Sequence, residues 1–253
     1  MIVPALAATG WVAAVLAAVI AVMNWRTTAS LLEAVARTSH ELRGPLTAAR
    51  LGLHAARRGG PISLERLRGV ELELGRATLA LGDLATVGAR SHGPGGEPSF
   101  APSCIERLDL GALLADSVEA WSAFAALRHA EVRLVGDSAP VYVEGDRLRL
   151  AQAAGNLIAN AIEHGGGVVS VACRGGHGTA RVEVIDGGPG LSAPVRELTR
   201  RPRRGRGARG RGLAVAAAVA ATHGGRLAAA PSERGARLVL ELPRERAAVH
   251  TAP

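Results

Sequence analysis

The residues of this sequence best suited to chemistry are a histidine and a carboxylate side by side, His40 and Glu41. An imidazole becomes a nucleophile when a neighbouring base takes its ring proton, and a carboxylate is such a base. Pro45 cannot donate a helical hydrogen bond, so we expect a helix to bend beside His40 and leave its ring open to solvent. The alternative is a surface histidine on a helix, as most single histidines are.

Two asparagines four residues apart, Asn156 and Asn160, would share one face of a helix. Their amide oxygens suit Mg²⁺, a hard cation that takes oxygen ligands and keeps several waters. The alternative is a pair of asparagines on a solvated helix face.

Asp186 ends a predicted strand whose last residues, 182–185, are apolar except for Glu183, and it is followed by Gly188 and Gly190. A carboxylate at the end of a strand can accept a hydrogen bond from an exocyclic amine, and the glycines let the backbone pass close to a flat base. The alternative is an ordinary Asp-Gly turn.

A second glycine pair, Gly210 and Gly212, precedes a helical pattern, and the free N–H groups of a helix start attract phosphate. A run of arginines from Arg196 to Arg211 lies between the two glycine segments and could engage phosphates. A solvated basic loop is the alternative.

These segments follow one another as do the motifs of sensor histidine kinases of bacterial two-component systems, and the chain resembles that family from residue 30 to residue 243. The similar segments are the phosphoacceptor box at 39–46, the asparagine box at 146–164, the first glycine box at 186–190, and the second glycine box with its turn at 210–213 and 223–225.

The resemblance implies an ATP-dependent protein-histidine kinase. His40 would attack the γ-phosphoryl group, Glu41 would accept or orient the ring proton, and the group would pass to an aspartate of a response regulator. Asn160 would bind Mg²⁺ with support from Asn156, Asp186 would recognise adenine, and the arginine run would form a lid over ATP.

Two amphipathic helices with heptad spacing are predicted at 31–56 and 63–84, joined by a Gly-Pro turn. One such hairpin leaves apolar surface uncovered, so we expect a homodimer in which two hairpins close a four-helix bundle. The alternative is that the hairpin packs on the rest of its own chain.

The pattern after residue 109 predicts an α/β sandwich, and the resemblance implies a mixed sheet with helices on one face. We expect helices at 110–127, 147–164 and 214–222, and strands at 131–135, 141–144, 168–174, 179–186, 226–230 and 236–242. The fold class is α plus α/β, divided into a transmembrane anchor (1–25), the hairpin (26–90), a linker (91–108), the ATP-binding domain (109–245) and a disordered tail (246–253).

Residues 2–23 carry no charged side chain and could span about 30 Å of hydrocarbon as a helix. Arg26 follows, and the positive-inside rule then places the catalytic part in the cytoplasm. We expect a single-pass protein of the cell membrane with no sensor domain ahead of the anchor. A cleaved signal peptide is the alternative, although a basic n-region is missing.

The net charge is +8 and every basic residue other than histidine is arginine. Arginine, alanine and glycine are abundant together, which indicates a GC-rich coding bias. The charge is therefore poor support for nucleic-acid binding, and we expect no such partner. Cys104 and Cys173 stand far apart, without the spacing of a metal site.

Three positions depart from the pattern of the family. Gly44 replaces a threonine or asparagine that positions water for dephosphorylation, Ala214 replaces a glycine, and Glu163 stands where a basic residue is common. The second candidate is therefore a degraded relay that binds ATP or a partner without phosphorylation. A serine-type kinase or ATPase on the same fold and a nucleic-acid binder are weaker alternatives.

Overall fold

The computed structural model describes residues 17–23, 25, 44–51, 53, 64–89, 104–136, 139–176, 178–199 and 211–244. Outside these ranges lie His40, Glu41, Gly210, most of the predicted anchor, residues 91–103 of the predicted linker, the arginines between 200 and 210, and the tail 246–253. What the sequence predicts for those positions stays a prediction.

In the part of the chain that the structure describes, seven strands form two sheets. They are β1 (Glu106–Asp109), β2 (Glu131–Val135), β3 (Tyr142–Gly145), β4 (Val168–Gly175), β5 (Thr179–Ile185), β6 (Arg226–Ala229) and β7 (Arg237–Pro243). The larger sheet has the order β2-β4-β5-β7-β6, in which β2 and β4 are parallel and the other neighbours antiparallel. The predicted mixed sheet is therefore confirmed. β1 and β3 form a separate antiparallel pair.

The helices are α1 (Leu64–Ala89), α2 (Leu110–Leu127), α3 (Arg147–His164), α4 (Val195–Leu198) and α5 (Arg211–Thr222), and residues 17–23 and 44–51 are helical as well. Helices α2, α3 and α5 cover one face of the larger sheet, where Val171, Val182 and Leu240 are buried. Alternation of apolar and polar residues produces this burial, since side chains one apart on a strand point to opposite faces.

The opposite face of the sheet carries ion pairs between strands. Glu183 pairs with Arg174 and Arg237, and Glu241 pairs with Arg181 and Arg226. Each carboxylate thus lies between two guanidinium groups, a favourable cross-strand arrangement on this face of the sheet.

Strand β1 begins at Glu106, inside the segment predicted to be a linker. A four-residue strand has too little alternation to be recognised, and its partner β3 lies more than thirty residues further along the chain. The short helix α4 was not predicted either.

Helix α1 packs on its own chain, against α2 and α3. Leu72, Glu73, Arg76 and Ala77 are buried there, whereas Leu67, Leu74 and Leu81 are exposed. One face of α1 therefore packs on its own chain, as the alternative prediction for the hairpin has it. Another face carries an exposed stripe of leucines at heptad spacing.

Among the described residues, α2 is the one helix whose length and apolar composition would let it cross a bilayer. Its side chains Leu113, Leu114 and Trp121 are at most 1% exposed, so α2 is a core helix of the domain. Residues 17–23 of the predicted anchor are helical and exposed, and the anchor stays a prediction.

Candidate nucleotide-binding site

Helix α3 positions the two asparagines. It begins after Asp146, whose Oδ1 accepts hydrogen bonds from the backbone N–H groups of Leu148 (3.0 Å) and Arg149 (3.1 Å). An aspartate at this position satisfies N–H groups that have no partner within the helix. Leucine, isoleucine and alanine side chains bury one face of α3 in the core and leave Asn156 and Asn160 half-buried on another.

The amide nitrogen of Asn156 is a buried donor without an acceptor among the described residues. Gly212, in the first turn of α5, lies against the same side chain, since a Cβ at Gly212 would be 3.5 Å from the Cβ of Asn156. A buried donor without a hydrogen bond is costly. The amide nitrogen of Asn156 therefore indicates a place where a ligand supplies the acceptor. The free N–H groups that begin α5 make this a favourable place for a phosphate.

Asn160 lies one helical turn further along α3 and is half-buried. Within the described part of the chain its side chain makes no hydrogen bond, so the amide oxygen is available to a cation. The described residues contain no group of three histidine, cysteine, aspartate or glutamate side chains that could hold a metal by themselves. This arrangement fits Mg²⁺, which takes few protein ligands and completes its shell with substrate phosphates and water.

Asp186 follows the last residue of β5 and is buried, with 7% of its surface exposed. Its Oδ1 accepts hydrogen bonds from the backbone N–H groups of Gly188 (2.9 Å) and Ala236 (3.1 Å). Its own backbone N–H donates to the carbonyl of Ala236 (3.0 Å). These bonds fix the carboxylate, and Oδ2 accepts no hydrogen bond from any described residue. The second oxygen is therefore free to accept one from a ligand.

Three glycines allow this close packing around Asp186. A Cβ at Gly165 would lie 2.3 Å from the Cβ of Asp186, and one at Gly188 would lie 2.6 Å from the Cα of Gly165. Gly235 has a φ of +68°, and a Cβ there would overlap the carbonyl oxygen of Asp186. Only glycine fits at these distances. The sequence did not predict that Gly165 and Gly235 pack against Asp186, because a glycine after a helix or in a turn does not indicate which distant residue it contacts.

Four of the nine predicted site residues meet at two places in the structure. Asn156 meets Gly212, and Asp186 and Gly188 meet the end of α3 at Gly165, five residues after Asn160. Gly190, whose φ of +83° requires glycine, lies beside Gly235 instead. The arrangement can hold a flat base at the carboxylate of Asp186 and anionic groups between α3 and α5.

Glu163, one of the departures from the family pattern, is exposed to solvent. It makes no hydrogen bond with a described residue. Ala214 is half-buried within α5.

Known proteins are similar to this chain over the same domain. Residues 145–246 match the family described as histidine kinase-, DNA gyrase B- and HSP90-like ATPase. Sensor protein CutS of Streptomyces coelicolor is 31% identical over 217 residues, which are 79% of this chain and 50% of CutS. The signal transduction histidine-protein kinase BaeS of Escherichia coli is 31% identical over 84% of this chain and 46% of BaeS.

One solved structure gives a similar result for the fold. Full-length ShkA in complex with AMPPNP is 26% identical, has a TM-score of 0.53, and is matched over 83% of this chain and 45% of that one. The chain spans about half the length of the curated relatives it matches.

Proposed function

We propose that this chain, which belongs to the sensor histidine kinases, is an ATP-dependent protein-histidine kinase of a two-component signalling system. It phosphorylates His40 and passes the phosphoryl group to an aspartate of a response regulator. The observation that carries the proposal is the open donor of Asn156 and the open acceptor of Asp186, at two ends of one site. Together they fit a ligand with anionic groups and an amine-bearing base.

Each proposed site residue has its own role in binding ATP. Asp186 accepts a hydrogen bond from the adenine amine, and Gly188 and Gly190 leave room for the base. Asn156 donates to a phosphate oxygen beside Gly210 and Gly212. Asn160 would hold Mg²⁺, which when bound neutralises phosphate charge. Catalysis of this kind comes mainly from positioning and from charge stabilisation.

The transfer itself uses two residues that precede the described helix 44–51. A ring nitrogen of His40 forms a bond to the γ-phosphorus, the bond from that phosphorus to the bridging oxygen breaks, and ADP leaves. Glu41 takes or orients the proton of the ring. In the second step the phosphorus–nitrogen bond breaks and an aspartyl phosphate forms on the regulator.

The exposed leucines of α1 support a homodimer as part of this proposal. Leu67, Leu74 and Leu81 are spaced by seven residues, and Leu46 and Leu53 on the preceding helix are also exposed. Two copies would bury these side chains in a four-helix bundle. A single-pass anchor at residues 2–23, with the catalytic part in the cytoplasm, completes the proposed organisation.

The test is autophosphorylation of the whole 253-residue chain with γ-labelled ATP and Mg²⁺. We expect a label that is labile to acid and stable to base, absent from His40→Gln and strongly reduced in Asn160→Ala. His164→Gln is the matched control, because His164 is exposed and has no proposed role. A label that survives His40→Gln would contradict the assignment of the acceptor.

The second candidate is a relay that binds ATP without transferring it. The exposed carboxylate of Glu163, at a position where the family commonly has a basic residue, favours it. ATP binding that depends on Asp186, together with no labelling under any condition, would establish this candidate in place of the kinase.

A further inference from the structure

Helix α3 carries a carboxylate on the same face as its two asparagines. Glu163 follows Asn160 by three residues and Asn156 by seven, which is the spacing of neighbours along one face of a helix. Residues three apart have Cβ atoms about 5–6 Å from each other, and a long side chain on a helix points back over the preceding turn. The carboxylate of Glu163 can therefore reach the amide oxygen of Asn160.

Glu163 has no counter-charge among the described residues. Its side chain is exposed and makes no ion pair there, although the chain is rich in arginine. Several other glutamates of the described part do pair with an arginine, namely Glu73, Glu119, Glu131, Glu183 and Glu241. The described fold thus leaves the charge of Glu163 open to a ligand.

The place of Glu163 in the helix is unfavourable for a carboxylate by itself. It lies in the last turn of α3, where the final carbonyl groups give the helix a partial negative charge. The carboxylate of Asp186 meets the same end, since a Cβ at Gly165 would be 2.5 Å from Cγ of Asp186. Two carboxylates and the C-terminus of a helix therefore concentrate negative charge here, and a cation would neutralise it.

One turn before Asn160 the character of this face is reversed. The amide nitrogen of Asn156 and the free N–H groups at the start of α5 are donors, and they lie beside Gly212. Donors suit phosphate oxygens, whereas the oxygens of Asn160 and Glu163 suit a hard metal ion. The face thus offers a place for phosphate and, directly after it, a place for the cation that accompanies phosphate.

We propose that Glu163 is a second protein ligand of the divalent cation, beside Asn160, and that it makes nucleotide binding depend strongly on that cation. The inference rests on the proposed function, since it needs a nucleotide at this site. Mg²⁺ is commonly bound by one or two carboxylates together with substrate phosphates and water, and this pair of side chains fits that pattern. Without the cation, Glu163 repels the phosphates; with the cation, it attracts the ion that binds them.

The charge at position 163 then has a physical explanation. A basic side chain, common at this position in similar kinases, would bring its own positive charge to the nucleotide. Glu163 instead brings the positive charge of a metal ion, so the preferred ligand of this site is the complex of the nucleotide with the metal rather than the nucleotide alone.

The experiment measures binding of AMPPNP, the nucleotide present in the ShkA structure, which resists transfer of its γ-phosphoryl group. The whole chain is titrated by calorimetry with excess Mg²⁺ and, separately, with EDTA. The ratio of the two dissociation constants is the coupling between cation and nucleotide. Glu163→Gln removes the charge and nearly keeps the shape, and Glu163→Lys supplies the charge that is common in the family.

The matched control is Glu106→Gln. It neutralises an exposed carboxylate of β1, which pairs with β3 beside the start of α3 and not beside its end. All these positions are exposed, so we expect the variants to fold.

In Glu163→Gln the coupling ratio should fall about fivefold or more, the low end of usual coupling between two ligands. Affinity with Mg²⁺ should decrease because a ligand is lost, and affinity in EDTA should increase because a repulsion is lost. Glu163→Lys should bind AMPPNP in EDTA more tightly still. Glu106→Gln should change none of these quantities.

Mn²⁺ gives a second measurement, because it prefers the same oxygen ligands as Mg²⁺. The paramagnetic resonance signal of free Mn²⁺ is followed while the ion is added to protein with equimolar AMPPNP. Both Glu163 variants should leave more Mn²⁺ free than the wild type does, and Glu106→Gln should not.

An unchanged coupling ratio in both Glu163 variants would overturn the ligand role of Glu163. An equal rise in affinity with Mg²⁺ and with EDTA would overturn it as well, since Glu163 would then only repel the nucleotide. If the wild-type chain binds no AMPPNP under either condition, the proposed nucleotide site itself fails and this inference fails with it.

Discussion

The backbone N–H of Asp146 donates a hydrogen bond to Nε2 of His223, 77 residues further along the chain, over 3.1 Å. The other ring nitrogen, Nδ1, lies 2.8 Å from the carbonyl oxygen of Val219. Because a carbonyl only accepts, the proton sits on Nδ1 and Nε2 is the acceptor. The ring therefore ties the start of α3 to the end of α5, the two helices that hold the proposed phosphate site.

Replacing His223 by alanine should lower the free energy of unfolding by about 2 kcal/mol, since two hydrogen bonds are lost and a buried N–H is left without an acceptor. Urea denaturation followed by circular dichroism measures this loss. His164→Ala, which removes an exposed imidazole at the end of α3, should change stability much less. Equal effects of the two variants would contradict the structural role of His223.

Asp186→Asn should reduce ATP affinity by about tenfold or more, because an amide can place a donor opposite the adenine amine. The carbonyl of the new side chain can still accept from Gly188 and Ala236, so the fold should survive. Calorimetric titration with ATP measures the loss of affinity, and titration with GTP measures whether that loss depends on the base. If the variant loses affinity for both nucleotides equally, Asp186 does not recognise the base.

Leu74→Glu should convert a dimer to a monomer, since the exposed side chain of Leu74 lies in the middle of the leucine stripe on α1. A buried unpaired carboxylate in a helical bundle costs several kcal/mol. Sedimentation velocity at several protein concentrations measures the change. Arg68→Glu, on an exposed face of the same helix, is the control and should leave the dimer intact.

The two cysteines should react at very different rates with iodoacetamide. Burial, and secondarily the charge of Asp109, raises the pKa of Cys173 from 9.0 to about 11, so its thiol stays protonated at neutral pH. Cys104 is exposed and should be modified first, as mass spectrometry of quenched samples would show. Faster modification of Cys173 in the folded protein would contradict the packing of β4.

The same shift makes stability depend on pH. The pKa of Cys173 is higher in the folded than in the unfolded chain, so the stabilisation is present below pH 9 and is lost as the pH rises from about 9 to about 11. Cys173→Ala should remove this dependence while keeping the fold.

Much of this architecture was predictable because its signals are local. The ends of α2 and α3 follow from Asp109, Asp146 and Gly165, which are strong capping or stop residues in the sequence. Asn156, Asn160 and Asp186 stood out by type and spacing, and Asn156, Asp186 and the glycines near them meet in pairs in the structure. The roles of these residues stay predictions until nucleotide binding is measured.

The contacts that sequence could not supply are those between distant segments. Nothing around Trp121 indicates that it meets Gly44 and Glu73, and the helix pattern of α1 does not show that Glu73 and Arg76 are buried. Heptad spacing predicted a packing seam that includes Leu67, Leu74 and Leu81, which are exposed in this structure, and the dimer that would bury them stays a prediction. The spacing does not predict which element packs on each side of the helix, since a repeat specifies an apolar face and not its partner.

The parallel pairing of β2 with β4 has a consequence for synthesis. Strand β2 leaves the ribosome before β3 and α3, and among the described strands β4 is the one that pairs with it. The nascent chain therefore carries an unpaired strand, with Leu134 and Val135 among its residues, until residue 175 has been made. Among the later strands, β4 with β5 and β6 with β7 are joined by short connections and can form quickly, whereas β5 must wait for β7, where Ile185 pairs with Arg237. Translation pauses between residues 135 and 168 would lengthen the exposure of β2 and favour aggregation of the growing chain.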